Sequence, residues 1–260
     1  MPLSARTPDG ERVTIFDVLQ GKVDADTFLC PFCQEEMHVV RAVKRTPHFR
    51  HYPHRSCGFS GESARHLMLK SKVGAWLLTR GWDVDFEAKV GDGIADVLAR
   101  KEGFTLRVEV QCSGIDLYTV SERILQVKKV CNKGGTLWFF DYVRRKRFKR
   151  LEEMFVSIFG DIYYLDYNED YTYPLVHTSN ESHPLSGLVP VKVKSGVVLL
   201  GESRTGGKPV RIEGGVICPH CLNVSNFREL VEWDFTTNNP KPVDVKAMCE
   251  VCGGVVEVVE

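Results

Sequence analysis

The chain has 260 residues, 43% hydrophobic and 26% charged, with 34 basic residues set against 34 acidic ones. That composition is ordinary for a soluble globular protein of one large domain or two smaller ones. The zero net charge excludes a protein that is basic over its whole surface, though not a local basic groove, and the lack of an apolar run of about 18 residues excludes a helical membrane span. Met1-Pro2-Leu3-Ser4-Ala5-Arg6 has no apolar signal-peptide core. The expected compartment is therefore the cytoplasm, where cysteines stay free or bind metal more often than they pair.

Nine cysteines are present, an odd count that argues against a disulfide framework. The first cluster is Cys30-Pro-Phe-Cys33 followed by Cys57, with His48, His51 and His54 between them. Three thiolates and one imidazole make a structural Cys₃His zinc site. His51 is the preferred fourth ligand, with His48 and His54 left open. The competing reading is a surface histidine cluster beside unrelated cysteines.

Residues 61–79 read as a helix: Leu69, Val73, Trp76 and Leu77 fall on one apolar face, and Glu62, His66 and Lys70 on a second, polar one. Gly81 ends it. Three strands follow, Trp82–Val90, Ile94–Ala99 and Phe104–Cys112, separated by turns at Gly91-Asp92-Gly93 and Lys101-Glu102-Gly103. Alternation in the third puts Arg107, Glu109, Gln111 and Ser113 on one face. A second helix covers 118–133, with Gly134-Gly135 expected to end it. Thr136-Leu-Trp-Phe-Phe140 reads as a buried central strand.

Asp96 lies inside an apolar strand, and Glu109 follows on the next one. Buried carboxylates are costly unless paired or holding a cation, and two side by side repel. A divalent metal between them resolves both problems. The structural alternative has Asp96 capping a turn and Glu109 paired with Arg107 or Arg123. Glu62 would then be a helix-start acid favoured by the dipole.

The order helix, strand, strand, strand, helix, strand resembles the PD-(D/E)xK nuclease fold, a restriction-endonuclease-like αβββαβ core of the α/β (α+β) class with a mixed sheet. The residues Cys30-Pro-Phe-Cys33, His48-Phe-Arg-His51, Glu62-Ser-Ala-Arg-His66, Ile94-Ala-Asp96, Glu109-Val-Gln111-Cys-Ser113, Arg123 and Leu137-Trp138-Phe139 resemble the competence protein CoiA-like nuclease family over about residues 27–142. The resemblance implies a metal-dependent deoxyribonuclease acting in DNA processing, recombination or defence. In it Asp96 and Glu109 hold Mg²⁺ or Mn²⁺, Glu62 reaches the metal directly or through water, and Arg123 contacts the scissile phosphate. The family motif places Lys where this chain has Gln111, which cannot carry positive charge but can orient a water. His66 or Lys70, on the face of Glu62, offers a proton-handling or positive group, although His66 is expected to support rather than to ligate.

Arg144, Arg145, Lys146 and Arg147 open a basic run that can track a nucleic-acid backbone, with Phe148 stacking on a base. The bland reading of this run is a solvated turn entering a helix at 151–159. Residues 178–188 read as a linker and 189–216 as a small β module. At the C-terminal end, Cys218-Pro-His-Cys221 and Cys249-Glu-Val-Cys252 form two CxxC knuckles, read as a Cys₄ zinc ribbon. Cys112 and Cys131 remain as core thiols.

The expected division is a zinc module at 1–59, a nuclease-like domain at 60–160 and a β-rich region carrying the ribbon at 161–260. The expected cofactors are two structural Zn²⁺ and a catalytic Mg²⁺ or Mn²⁺. The expected partner is DNA, single- or double-stranded, with no membrane. A protein partner at the ribbon and a homo-oligomer stay open. The rival function is a non-catalytic nucleic-acid-binding adaptor that keeps the nuclease fold.

Overall fold

The computed structural model describes residues 2–41, 46–53, 57, 62–167, 173–194, 196–203, 207–208, 210–212, 215–219, 222, 224–225, 227–234, 241–249 and 255–257. Its first part is a five-stranded antiparallel sheet of β1 (Ser4–Arg6), β2 (Arg12–Thr14), β3 (Phe28–Leu29), β4 (Glu36–Val40) and β5 (His48–His51), in the order β2-β1-β3-β4-β5. A short helix, α1 (Ile15–Leu19), follows β2.

The second part carries the expected αβββαβ order. It runs α2 (Ala64–Thr79), β6 (Asp83–Val90), β7 (Gly93–Lys101), β8 (Phe104–Gln111), α3 (Leu117–Val130) and β9 (Gly134–Asp141). β6, β7 and β8 form an antiparallel meander, while β9 lies parallel to β8, so the sheet is mixed.

The chain does not leave this sheet at residue 160. After α4 (Lys149–Phe159), β10 (Tyr163–Asp166) pairs parallel with β9. β11 (Leu175–His177) and β12 (Ser182–Pro184) extend that edge. β13 (Leu188–Lys194) and β14 (Val197–Glu202) form a hairpin that meets β9 at Val197 and Thr136. The expected linker thus contains β12, and β13 and β14 of the expected β module belong to the nine-stranded central sheet. A hydrophobic strand such as β10, with all four residues buried, needs a partner ladder, and the free edge of β9 supplies it. Beyond the sheet lie β15 (Val210–Ile212), β16 (Gly215–Ile217), β17 (Val224–Ser225), β18 (Phe227–Asp234), β19 (Lys241–Cys249) and β20 (Val255–Glu257), in two three-stranded sheets.

The predicted apolar face of α2 is the buried one: Leu69, Val73, Trp76 and Leu77 are all fully inaccessible. Each such side chain contributes roughly 1.5–3 kcal/mol by leaving water. Gly74 lets the helix settle on β6, since a Cβ there would lie 2.3 Å from the Phe86 ring. α3 and α4 cover other parts of the sheet with Val120, Ile124, Phe155 and Phe159. β9 is buried on both faces: Leu137 and Phe139 join the α2 side, Trp138 and Phe140 the other.

Gly134 and Gly135 do not end α3. The helix stops at Val130, and the two glycines begin β9. A Cβ at Gly134 would sit 2.7 Å from the Thr105 carbonyl oxygen, and one at Gly135 2.7 Å from Val198. Their smallness serves strand packing rather than a helix cap. Among the described residues, no helix is long and apolar enough to cross a membrane.

Candidate active site

The acids meet where the start of α2 faces the middle of the sheet. Ser63 caps α2, its hydroxyl accepting from the His66 amide at 3.2 Å. The cap sets Glu62 just before the first turn, and the 3.6-residue period brings His66 and Lys70 beneath it. Glu62 Oε1 accepts from Lys70 Nζ at 2.5 Å and lies 3.0 Å from His66 Nδ1. The other nitrogen of His66, Nε2, lies 3.3 Å from Asp96 Oδ2, which also accepts the Val110 amide at 2.8 Å. His66 therefore bridges Glu62 and Asp96. Burial opposes its protonation, but the Asp96 carboxylate 3.3 Å away, then the charge of Glu62, raise its pKa above the ordinary value. Burial likewise disfavours the ionised Asp96, yet His66, Lys70 and the Val110 amide hold its pKa below the usual range.

Glu109 sits on the adjacent strand and is fully buried. Burial and the nearby Asp96 charge push its pKa up to about 7, against the pull of Arg107 and Arg123. Arg107 reaches Glu109 Oε1 and Arg123 reaches Oε2. Arg107 is itself buried and is fixed by Gln126 and the Ile94 carbonyl. The pairing of Glu109 with Arg107 and Arg123, weighed in the sequence as an alternative, is thus formed with both partners at once. Gln111 donates to the Ser113 carbonyl at 2.8 Å and to its hydroxyl at 3.1 Å, so its amide is engaged within its own turn.

One acid of this network escaped the sequence. Alternation puts Glu87 on the polar side of β6, like Asp85. In the structure Phe86 pairs with Val97 and Ala88 with Ala95, while Glu87 itself takes a φ of 47° and is buried. Its carboxylate accepts from the Leu3 and Ser4 amides, both at 3.1 Å, from the Ser4 hydroxyl at 2.9 Å and from Lys70. Nothing in the local pattern separates Glu87 from Asp85. The signal is long-range, because its partners on β1 and just before it lie more than 80 residues away.

The basic run behaves unevenly. Residues 142–148 form a 3₁₀ helix, and Arg144, Arg145, Lys146 and Arg147 line an open groove of about 1280 Å³. Arg144 donates to the Cys112 carbonyl at 2.7 Å, and Arg145 pairs with Glu152 at 2.7 Å. Phe148 is not available to stack on a base. It is 2% exposed and packs against the Phe140 ring, because an apolar ring next to the sheet gains more by joining the core.

In the N-terminal module, Cys30, Cys33, His51 and Cys57 bring their donor atoms within 4.8 Å of one another. Cys30 and Cys57 place their sulfurs 3.8 Å apart, and Cys33 Sγ lies 3.2 Å from His51 Nε2. A tetrahedral ion with 2.3 Å sulfur bonds needs about 3.8 Å between sulfurs. This group could hold a metal ion. Burial raises the Cys30 thiol to about 11. His48 turns instead into its own strand segment, Nδ1 lying 2.8 Å from the Thr46 carbonyl. His54 lies outside the described residues.

The C-terminal knuckles are described in part. Cys218 and Cys249 are fully buried, while Cys221 and Cys252 lie outside the described residues. The turn after Cys218 matches the one after Cys30. The Leu222 amide donates to the Cys218 carbonyl at 2.8 Å with φ 56°, as the Gln34 amide does to Cys30 at 3.0 Å with φ 60°.

Two family profiles match the chain. "Competence protein CoiA, N-terminal domain" covers residues 16–60, and "Competence protein CoiA, nuclease-like domain" covers residues 62–196, more than half of the chain. The chain belongs to the competence protein CoiA family. Among CoiA relatives, it is similar to "Competence protein CoiA" of Bacillus subtilis (strain 168), at 30% identity over 133 residues. The match takes in 48% of this chain and 34% of that relative, so the chain spans about a third of the length of the curated relative. No solved structure matches. Within this CoiA-family chain, the thiol–imidazole group lies in the N-terminal match. Glu62, Asp96, Glu109 and Gln111 lie in the nuclease-like match, which begins at Glu62 itself.

Proposed function

We propose that the chain is a metal-dependent nuclease that hydrolyses phosphodiester bonds of DNA. The observation that carries this reading is the half-buried meeting of Glu62, His66 and Asp96, with the buried Glu109 on the neighbouring strand, inside the nuclease-like segment. The donor set fits a hard divalent cation, since Glu62 Oε2 is buried and accepts no hydrogen bond. Asp96 and Glu109 would hold Mg²⁺ or Mn²⁺, with Glu62 reaching it directly or through water. When bound, the ion activates water and neutralises charge at the phosphate. His66 holds Glu62 and Asp96 in register, and Lys70 supplies the buried positive charge that Gln111 lacks.

Arg144, Arg145, Lys146 and Arg147 are proposed to track the DNA backbone along their groove, with Arg123 at the phosphate end. The Cys₃His group is proposed to hold structural Zn²⁺, and the four C-terminal cysteines a second. A reducing cytoplasm suits both.

A second reading has its own support. Both oxygens of Glu109 are held by arginines and Gln111 is turned to Ser113, as a non-catalytic DNA-binding adaptor would allow. The deciding experiment incubates the chain with single- and double-stranded DNA in Mg²⁺, Mn²⁺ or chelator. Asp96→Ala and Glu109→Ala should each slow cleavage by roughly 10³-fold, the several kcal/mol that metal catalysis supplies. Cleavage surviving either change removes that acid from the site. DNA binding without cleavage under every metal selects the adaptor.

A further inference from the structure

We infer that Glu87 is a positioning residue for the candidate active site, coupling the N-terminal strand β1 to Glu62 through Lys70. The inference rests on the nuclease reading above and concerns a residue that reading does not use.

Lys70 is the one buried lysine among the described residues, 1% exposed. It lies between two carboxylates, Glu62 on the site side and Glu87 on the module side. An ammonium has three donors and no acceptor, so one lysine can serve both carboxylates at once. Glu87 is held in place. Its carboxylate takes the Leu3 and Ser4 amides and the Ser4 hydroxyl.

The backbone around it is clamped as well. Arg12 pairs with Asp85 at 2.8 Å and donates to the Phe86 and Glu87 carbonyls, the latter at 3.0 Å. A non-glycine residue in the left-handed region is strained, and it persists only where the surroundings over-determine it. Here the strain turns a carboxylate inward to meet Lys70.

The electrostatic consequence is specific. Shared between two acids, the charge of Lys70 is only partly spent on Glu62, which stays a strong enough ligand for a cation. Alone with Glu62, Lys70 would neutralise it. Strand β1 is therefore part of the site's support: losing its grip on Glu87 frees Lys70 to move.

The test uses the full chain with its thiol cluster zinc-loaded. Mn²⁺ affinity is measured by calorimetry and DNA cleavage by steady-state kinetics. Glu87→Gln should weaken Mn²⁺ binding and lower kcat by about tenfold each, the worth of one hydrogen bond to a charged group, with KM for DNA unchanged. The same change made on top of Glu62→Gln should weaken Mn²⁺ no further, because the coupling runs through Glu62.

An equal Mn²⁺ loss in both backgrounds, or a raised KM with kcat intact, overturns the inference. If Glu87→Gln does not fold, Ser4→Ala replaces it, removing one bond to the same carboxylate. It should weaken Mn²⁺ binding by about threefold with Glu62 present and not at all without it. A Ser4→Ala effect independent of Glu62, or none, overturns the inference. A wild-type chain that neither binds Mn²⁺ nor cuts DNA overturns the nuclease reading itself. One that does both, with Glu87→Gln indistinguishable from it, overturns the role of Glu87 alone.

Discussion

The chain carries two groups of metal-type donors, and they are assembled differently. In the N-terminal module four soft donors, three thiols and an imidazole, converge to within 4.8 Å of one another. In the nuclease-like segment each carboxylate is met by a basic side chain: Glu62 by Lys70 and His66, Asp96 by His66, Glu109 by Arg107 and Arg123. The physical reason is the charge of the free donor. A protonated thiol is neutral, so burial at Cys30 simply raises its pKa. Carboxylates are charged, and burying several together demands counter-charges within reach. The soft site can be built by backbone geometry alone, whereas the hard site has to be built as an ionic network.

The contrast can be broken at either end. The largest effect is expected at the soft site. Cys57→Ser removes one of the four proposed zinc ligands, and a structural zinc would be tied directly to folding energy. The variant should lose its N-terminal zinc and melt roughly 10 °C or more below wild type, at about 2–4 °C per kcal/mol. Metal analysis with thermal unfolding checks this, and unchanged zinc content would remove Cys57 from the site.

A smaller effect is expected at the hard site. Arg123→Met leaves Glu109 with Arg107 as its remaining cationic partner. Arg123 is one-third exposed, so the loss should be about 1 kcal/mol, or about 2–4 °C. Added Mg²⁺ should recover part of it if Glu109 is a ligand; no recovery in thermal scans would separate Glu109 from metal.

The smallest effect is a pH dependence. His66 has a raised pKa when folded, so the native state binds its proton more tightly than the unfolded chain. Its contribution is fully present below the ordinary histidine pKa of about 6.5 and is lost as pH rises through the higher folded value. The melting temperature of wild type minus that of His66→Gln, scanned from about pH 5.5 to about pH 9, should therefore shrink on the alkaline side. A difference that grows with pH would show that His66 is neutral in the fold.

Much of this was legible in the chain itself. The apolar stripe of α2, the meander of three strands and the doubly buried β9 all follow from periodicity, because side-chain direction repeats with the backbone. Cys-Pro-Phe-Cys33 and its downstream cysteine follow from ligand spacing. His51 was separable from His48 only in space: the two lie three apart in one strand, so they point to opposite faces. The recruitment of β10 to β14 into the central sheet was likewise hidden, since a strand's sequence does not say which edge it will join.

By itself, then, the sequence determined the element order, the core faces, the donor types and the acids at Glu62, Asp96 and Glu109. Those are local properties, set by period, spacing and side-chain chemistry. Only the tertiary structure decided what each charge meets: Arg107 and Arg123 on Glu109, His66 between Glu62 and Asp96, and Glu87 turned inward to hold Lys70 and strand β1. Burial makes a counter-charge obligatory, but which residue supplies it depends on contacts between distant parts of the chain.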